Sequence, residues 1–137
     1  MNTFTKTTGL LQRAMDVASL RYEVSANNLA NVEVPNFKKQ KVNFESELKK
    51  ALESDKKISS INMKATNSRH FQNENKIDWQ TIKPRRVTDW ESTAKANGNN
   101  VDVEEEAMNI LKLSMSYTLL SQLTDHEFSQ IQIAMGK

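Results

Sequence analysis

Cysteine is absent from these 137 residues. That excludes a disulfide framework, a thiolate metal site and a cysteine nucleophile, and it is compatible with either a reducing or an oxidising compartment. Glycine occurs three times and proline twice, which leaves little material for a phosphate cradle. No G-x-S-x-G, Walker-type or dinucleotide-binding pattern is found. Aromatic residues make up 7% of the chain and hydrophobic residues 37%, a thin core for one domain of this length, so a monomer of marginal stability is expected. No stretch is long and apolar enough to cross a bilayer, and the polar, Thr-rich residues 1–9 carry no signal-peptide apolar region. Export, if it occurs, is expected to proceed without a cleaved signal.

The formal charge is only +2, so no field over the whole molecule calls for nucleic acid or an anionic membrane. The charges are unevenly placed. Residues 32–100 carry 14 basic against 9 acidic side chains, whereas residues 101–137 carry 2 against 6.

Apolar periodicity marks the two ends. Over residues 10–31, Leu11, Met15, Ala18, Tyr22, Ala26 and Leu29 recur three or four apart, and Leu10, Ala14, Val17 and Val24 form a second stripe beside them. The helix is expected to stop before Pro35, which disfavours the α conformation in its predecessor, and Asn36 suits a turn. Phe44, Leu48 and Leu52 predict a short amphipathic helix over residues 42–52. Residues 53–96 are polar and mixed, with brief alternation around Ile77, Trp79 and Thr81 that fits short strands or ordered loops. The run Ala96-Asn97-Gly98-Asn99-Asn100 is a turn signal, since Gly and Asn tolerate positive φ.

The strongest helix follows. Asp102 is placed to cap it, Glu105 to return the bond in a capping box, and Glu104, Glu105 and Glu106 to complement the positive helix start. Ile110, Leu113, Tyr117, Leu120, Thr124, Phe128, Ile131 and Met135 then keep a three-or-four spacing almost to the end. The expected fold is mainly α: terminal helices, residues 1–31 and 101–137, packed as an antiparallel coiled coil. An insert, residues 32–100, holds the post-helix turn, a short helix and a loop or short-strand segment. Leu11, Met15, Ala18, Tyr22, Leu29, Ile110, Leu113, Tyr117, Leu120, Phe128 and Ile131 are the expected packing and assembly positions. Helices with such wide apolar sectors are poorly satisfied in a monomer, and subunit association would remove the remaining apolar surface from water.

Little suggests catalysis. His70 and His126 have no second ligand at helical spacing. Consecutive glutamates on a helix point in different directions, so helix-start electrostatics accounts for residues 104–106 better than a carboxylate site does. No catalytic, cofactor-binding or metal-binding residues are assigned. A competing reading takes Lys83, Arg85 and Arg86 with Trp79 and Trp90 as a small single-stranded nucleic-acid-binding module that stacks bases and pairs phosphates.

Residues 25–38, Ser-Ala-Asn-Asn-Leu-Ala-Asn-Val-Glu-Val-Pro-Asn-Phe-Lys, resemble the N-terminal signature of the flagellar rod and hook axial family, S-x-N-x-A-N-x-x-T-P-G-Y. Asn28, Ala30, Asn31 and Pro35 match and Phe37 keeps the aromatic, while Val34 replaces the usual threonine and Asn36 the usual glycine. Residues 98–104, with Tyr117, Leu120, Leu123 and Phe128, resemble the C-terminal region of proximal-rod members, and residues 66–71, with His70, resemble their middle segment more weakly. The resemblance implies a structural subunit of the proximal rod in the periplasm, exported through the flagellar type III apparatus. Its implied partners are other rod subunits, the adaptor between rod, export gate and MS ring, and the export apparatus itself.

Overall fold

A computed structural model describes residues 3–60, 77–92 and 95–136. In chain order the elements are helix α1 (Thr3–Ala30), strand β1 (Gln40–Asn43), helix α2 (Glu45–Ser60), a single 3-10 turn (Trp79–Thr81), strand β2 (Arg85–Thr88) and helix α3 (Val103–Ala134). The fold is mainly helical, with α1 and α3 packed on each other and β1 paired with β2. The chain divides into two compact units, Met1–Val42 with Arg86–Lys137, and Asn43–Arg85.

In the first unit, two contacts set the direction of the helix pair. Asn28 bonds Glu106 near the end of α1 and the start of α3, while the Phe4 and Phe128 rings meet edge-on at 5.9 Å. At 1.5 Å per residue, the helical spans between these contacts are about 36 Å on α1 and about 33 Å on α3, so the helices run alongside each other in opposite directions. The seam is lined on α1 by buried Val17, Ala18 and Val24. On α3 the half-buried residues are Asn109 and then Ile110, Leu113, Leu120, Thr124, Glu127 and Ile131, the last six in an alternating three-and-four spacing with one exposed gap at Tyr117.

Helix α1 begins seven residues before the first apolar stripe. Its Thr-rich start is held by the Phe128 ring, which covers Phe4, while the Thr8 hydroxyl finds its partner locally in the Phe4 carbonyl at 2.9 Å. The helix ends at Ala30, where Asn31 donates its amide back to the Asn27 carbonyl at 2.8 Å. Asn36 takes the left-handed conformation (φ 59°), as its position after Pro35 suggested. Helix α3 starts on Asp102, whose Oδ1 accepts from the N–H groups of Glu104 and Glu105 at 2.9 and 3.3 Å. The capping box does not close: the Glu105 carboxylate takes the Lys39 ammonium at 2.8 Å instead, a charged partner stronger than a neutral N–H.

In the second unit, the amphipathic helix starts at Glu45, three residues later than expected, because residues 40–43 extend as β1. Phe44 and Ala51 are buried and Leu48 and Leu52 half-buried. The alternation at Ile77, Trp79 and Thr81 resolves as the 3-10 turn, capped by Asp78, whose Oδ1 accepts from Gln80 N at 2.9 Å. This turn packs on α2 and buries Trp79. The strand that does form, β2, lies a few residues further on. His70 and residues 66–71 lie outside the described residues.

Candidate functional site

Three asparagines and a glutamate are buried together where α1 ends and α3 begins: Asn28, Asn99, Asn100 and Glu106, none more than 4% exposed. Buried amides are costly unless both their donors and their acceptor are matched. Here each is matched by backbone from a different segment.

Asn99 closes the end of α1. Its Nδ2 reaches the carbonyls of Asn31, Val32 and Val34 at 3.0, 3.1 and 2.8 Å, in the turn that follows the last helical residue, Ala30. Its Oδ1 accepts from Val101 N at 2.7 Å. A residue almost seventy positions away thus caps the helix.

Asn100 holds the strand connection. Its Oδ1 accepts from the Lys39 N–H at 2.6 Å, and its Nδ2 donates to the Asp89 carbonyl and the Ser92 hydroxyl at 2.8 and 3.1 Å. Asn28, one turn before the end of α1, pairs with the backbone of Gln40 on both sides of its amide, at 2.9 Å each way. The same Nδ2 donates to Glu106 Oε1 at 3.1 Å. The second oxygen of Glu106 has no hydrogen-bond partner among the described residues.

Around this polar clasp lie the charges. The Lys39 side chain is buried. Burial pushes its ammonium down, but the bonded Glu105 carboxylate and the nearby charges of Glu106 and Asp89 outweigh that and raise its pKa. The Lys41 ammonium, 3.0 Å away, and the hydroxyl and N–H of Ser92 hold the Asp89 carboxyl well below the usual carboxylate range. Lys95 and Lys38 donate to the carbonyls of Val32 and Gly98 at 3.0 and 2.8 Å. Lys95 and Lys38 thus fasten backbone while Lys39 and Lys41 pair with carboxylates, and among the described residues no group of three or more metal-ligating side chains is found.

The two segments that resemble the flagellar axial family are therefore bonded to each other. No family model matches the chain. The flagellar basal body rod protein FlgB of Borreliella burgdorferi is 36% identical over 135 residues, covering 98% of this chain and 99% of that protein. The chain belongs to the FlgB family of flagellar basal body rod proteins. The Bacillus subtilis FlgB is 27% identical over 135 residues, 98% of this chain and 97% of its own length. The Escherichia coli FlgB is 31% identical over 121 residues, 80% of this chain and 81% of its own.

The signature residues of this chain divide by role. Asn28 is buried in the clasp and Asn31 caps α1 locally, while Phe37 is half-buried and Ala30 and Pro35 are exposed. Of the positions assigned to packing and assembly, Ala18 is buried, and Leu11, Met15, Leu29, Ile110, Leu113, Leu120 and Ile131 are half-buried. Tyr22, Tyr117 and Phe128 are about half exposed, at 47, 48 and 52%. Sequence reasoning missed Lys39, Gln40 and Asp89, and it read Asn99 and Asn100 only as turn formers. The one available signal was the density of asparagine in both segments.

A second feature of α3 is an apolar row away from the seam. Met108, Leu111, Met115, Leu119 and Leu123 line a row facing solvent, with Met115 63% and Leu119 57% exposed. Of the basic and aromatic residues in the insert, Trp79 is buried and offers no face to a base. Arg86 is paired with Glu23 at 2.9 Å.

Proposed function

We propose that this chain is a non-catalytic subunit of the proximal flagellar rod, delivered by the type III export apparatus without signal cleavage and assembled in the periplasm. The reading rests on family membership and on one observation: a 32-residue helix that seals one side against α1 and leaves a second apolar row in water. Such a row is tolerable only until a neighbour covers it, and each fully buried Leu or Met contributes roughly 1.5–3 kcal/mol. Residues 1–31 and 101–137 form the assembling module and residues 32–100 the insert. Its neighbours are other rod subunits and the adaptor that joins the rod to the export gate and MS ring.

Within this proposal the exposed Tyr22, Tyr117 and Phe128 join the α3 row in meeting those neighbours, while the half-buried positions serve both the intramolecular seam and its edges. The single-stranded nucleic-acid reading gains nothing from the relatives, all of which are named as rod proteins.

Met115→Glu and Leu119→Glu test the proposal, because both side chains are mostly exposed and their replacement leaves the α1–α3 seam intact. The expected result is a helical protein of unchanged thermal stability that fails to enter isolated basal bodies. Normal incorporation of the double variant would overturn the proposed interface. Deleting residues 101–137 is expected to abolish rod assembly as well, but it also removes the fold, so the point variants carry the test.

A further inference from the structure

The chain holds one Asn-Gly pair, Asn97-Gly98, in the loop that delivers Asn99 and Asn100 to the clasp. In such a pair the backbone nitrogen of the glycine can attack the asparagine side chain, since glycine has no Cβ to crowd the approach. A bond forms between Gly98 N and Asn97 Cγ, the Gly98 N–H proton passes to solvent base, and the Cγ–Nδ2 bond breaks to release ammonia. Water then opens the cyclic imide at either carbonyl. The product is aspartate, or an isoaspartyl residue whose backbone runs through the former side chain. Water is the only co-reactant and no electrons are exchanged.

In the folded protein Asn97 is exposed, so water reaches it, and only geometry restrains the reaction. Three hydrogen bonds supply that restraint. Gly98 N, the attacking atom, donates to the Lys95 carbonyl at 3.1 Å. Asn97 Oδ1 accepts from Asn99 N at 3.1 Å, which fixes the side chain. The Asn97 carbonyl accepts from Asn36 N at 3.0 Å, which anchors the loop to the turn after α1.

We infer that Asn97 is a site of spontaneous deamidation that the closed clasp suppresses and that clasp opening releases. Opening frees the nucleophile, the side chain and the loop together. An isoaspartyl residue at 97 adds a methylene to the backbone, so a chain carrying it loses the loop spacing that lets Asn36 and Asn99 bond to residue 97, and loss of ammonia makes either product permanent. Modification therefore runs one way, and its extent marks the time a subunit has spent open.

The test incubates the full-length protein in mildly alkaline buffer with and without denaturing urea, then maps peptides by mass spectrometry with isoaspartate detection. Conversion at Asn97 is expected to be at least about tenfold faster in urea, following the loss of local protection, and to precede conversion at every other asparagine. Equal rates in the two conditions, or another asparagine converting first in urea, would overturn the inference. Gly98→Ala, followed in urea where native strain is irrelevant, should slow conversion roughly fivefold or more by crowding the nitrogen; an unchanged rate would exclude the imide route.

Discussion

Asn28 and Glu106 stand 78 positions apart in the chain and share a buried hydrogen bond of 3.1 Å, a polar contact that runs directly from α1 to α3 at the clasp. Removing the amide leaves a buried carboxylate without its donor. Asn28→Ala is therefore expected to destabilise the protein by about 2–3 kcal/mol, read by urea denaturation. In Asn28→Ala with Glu106→Leu the orphaned carboxylate is gone, so the double variant should lose less than the sum of its parts by about 0.5–3 kcal/mol. Strict additivity would show that the two side chains do not support each other.

Asn99 serves three carbonyls with one amide nitrogen. Asn99→Ala should cost about 1–3 kcal/mol: each carbonyl keeps one other donor, Val34 N, Lys95 Nζ and Phe37 N in turn, but the bond to Val101 N and the buried amide donor are lost. Asn99→Asp is expected to be worse: it preserves the acceptor used by Val101 but turns an oxygen toward three oxygens. An aspartate variant more stable than the alanine variant would contradict the donor role.

Asn36 and Gly98 are sterically linked. A Cβ built at Gly98 lies 2.5 Å from Asn36 Oδ1, and Gly98 has φ +79°. Gly98→Ala should cost about 1–2 kcal/mol from its backbone conformation alone, and more from the collision. Asn36→Gly removes the colliding atom and also accepts φ > 0, so Gly98→Ala should be milder in that background. An equal penalty in both backgrounds would mean that the collision is relieved elsewhere.

Stability should depend on pH through Asp89 in acid and Lys39 in base. The depressed carboxyl of Asp89 contributes stability that is present above its unfolded value near 3.8 and is lost as pH falls through its folded value. The raised ammonium of Lys39 contributes below its unfolded value near 10.5 and loses that contribution as pH rises through its folded value. Urea midpoints of the protein and of Asp89→Asn should therefore differ most from neutral pH down to about pH 4 and converge in stronger acid. A constant gap into strong acid would exclude this carboxylate as the source.

The helices were legible because their signals are local. Spacing gave both apolar faces, Pro35 the end of α1, and Asp102 the start of α3. The apolar period itself began only at residue 10, because the cover for Phe4 comes from Phe128, far away in the chain. The strands were hidden because four residues of mixed polarity carry no clear alternation, and their pairing is fixed by side chains that bond from elsewhere. The clasp was half visible. The asparagines stood out, but a turn former and a buried cross-chain donor look alike in sequence, and only the carbonyls of Asn31, Val32 and Val34 distinguish them. Positive φ is confined to Asn36, Gly98 and Gly136 among the described residues, so Asn99 and Asn100 are there for their amides.

Because β1 pairs with β2, and Asn99 and Asn100 tie back to residues 31–39, the chain leaves the helix pair and returns to it at one closed doorway. Loop-closure entropy grows only as the logarithm of loop length, about 0.6 kcal/mol per doubling. The stretch between the strands can therefore lengthen or shorten over generations with almost no penalty felt by α1 and α3. A change of length there is thereby kept from the helix pair by a handful of amide groups.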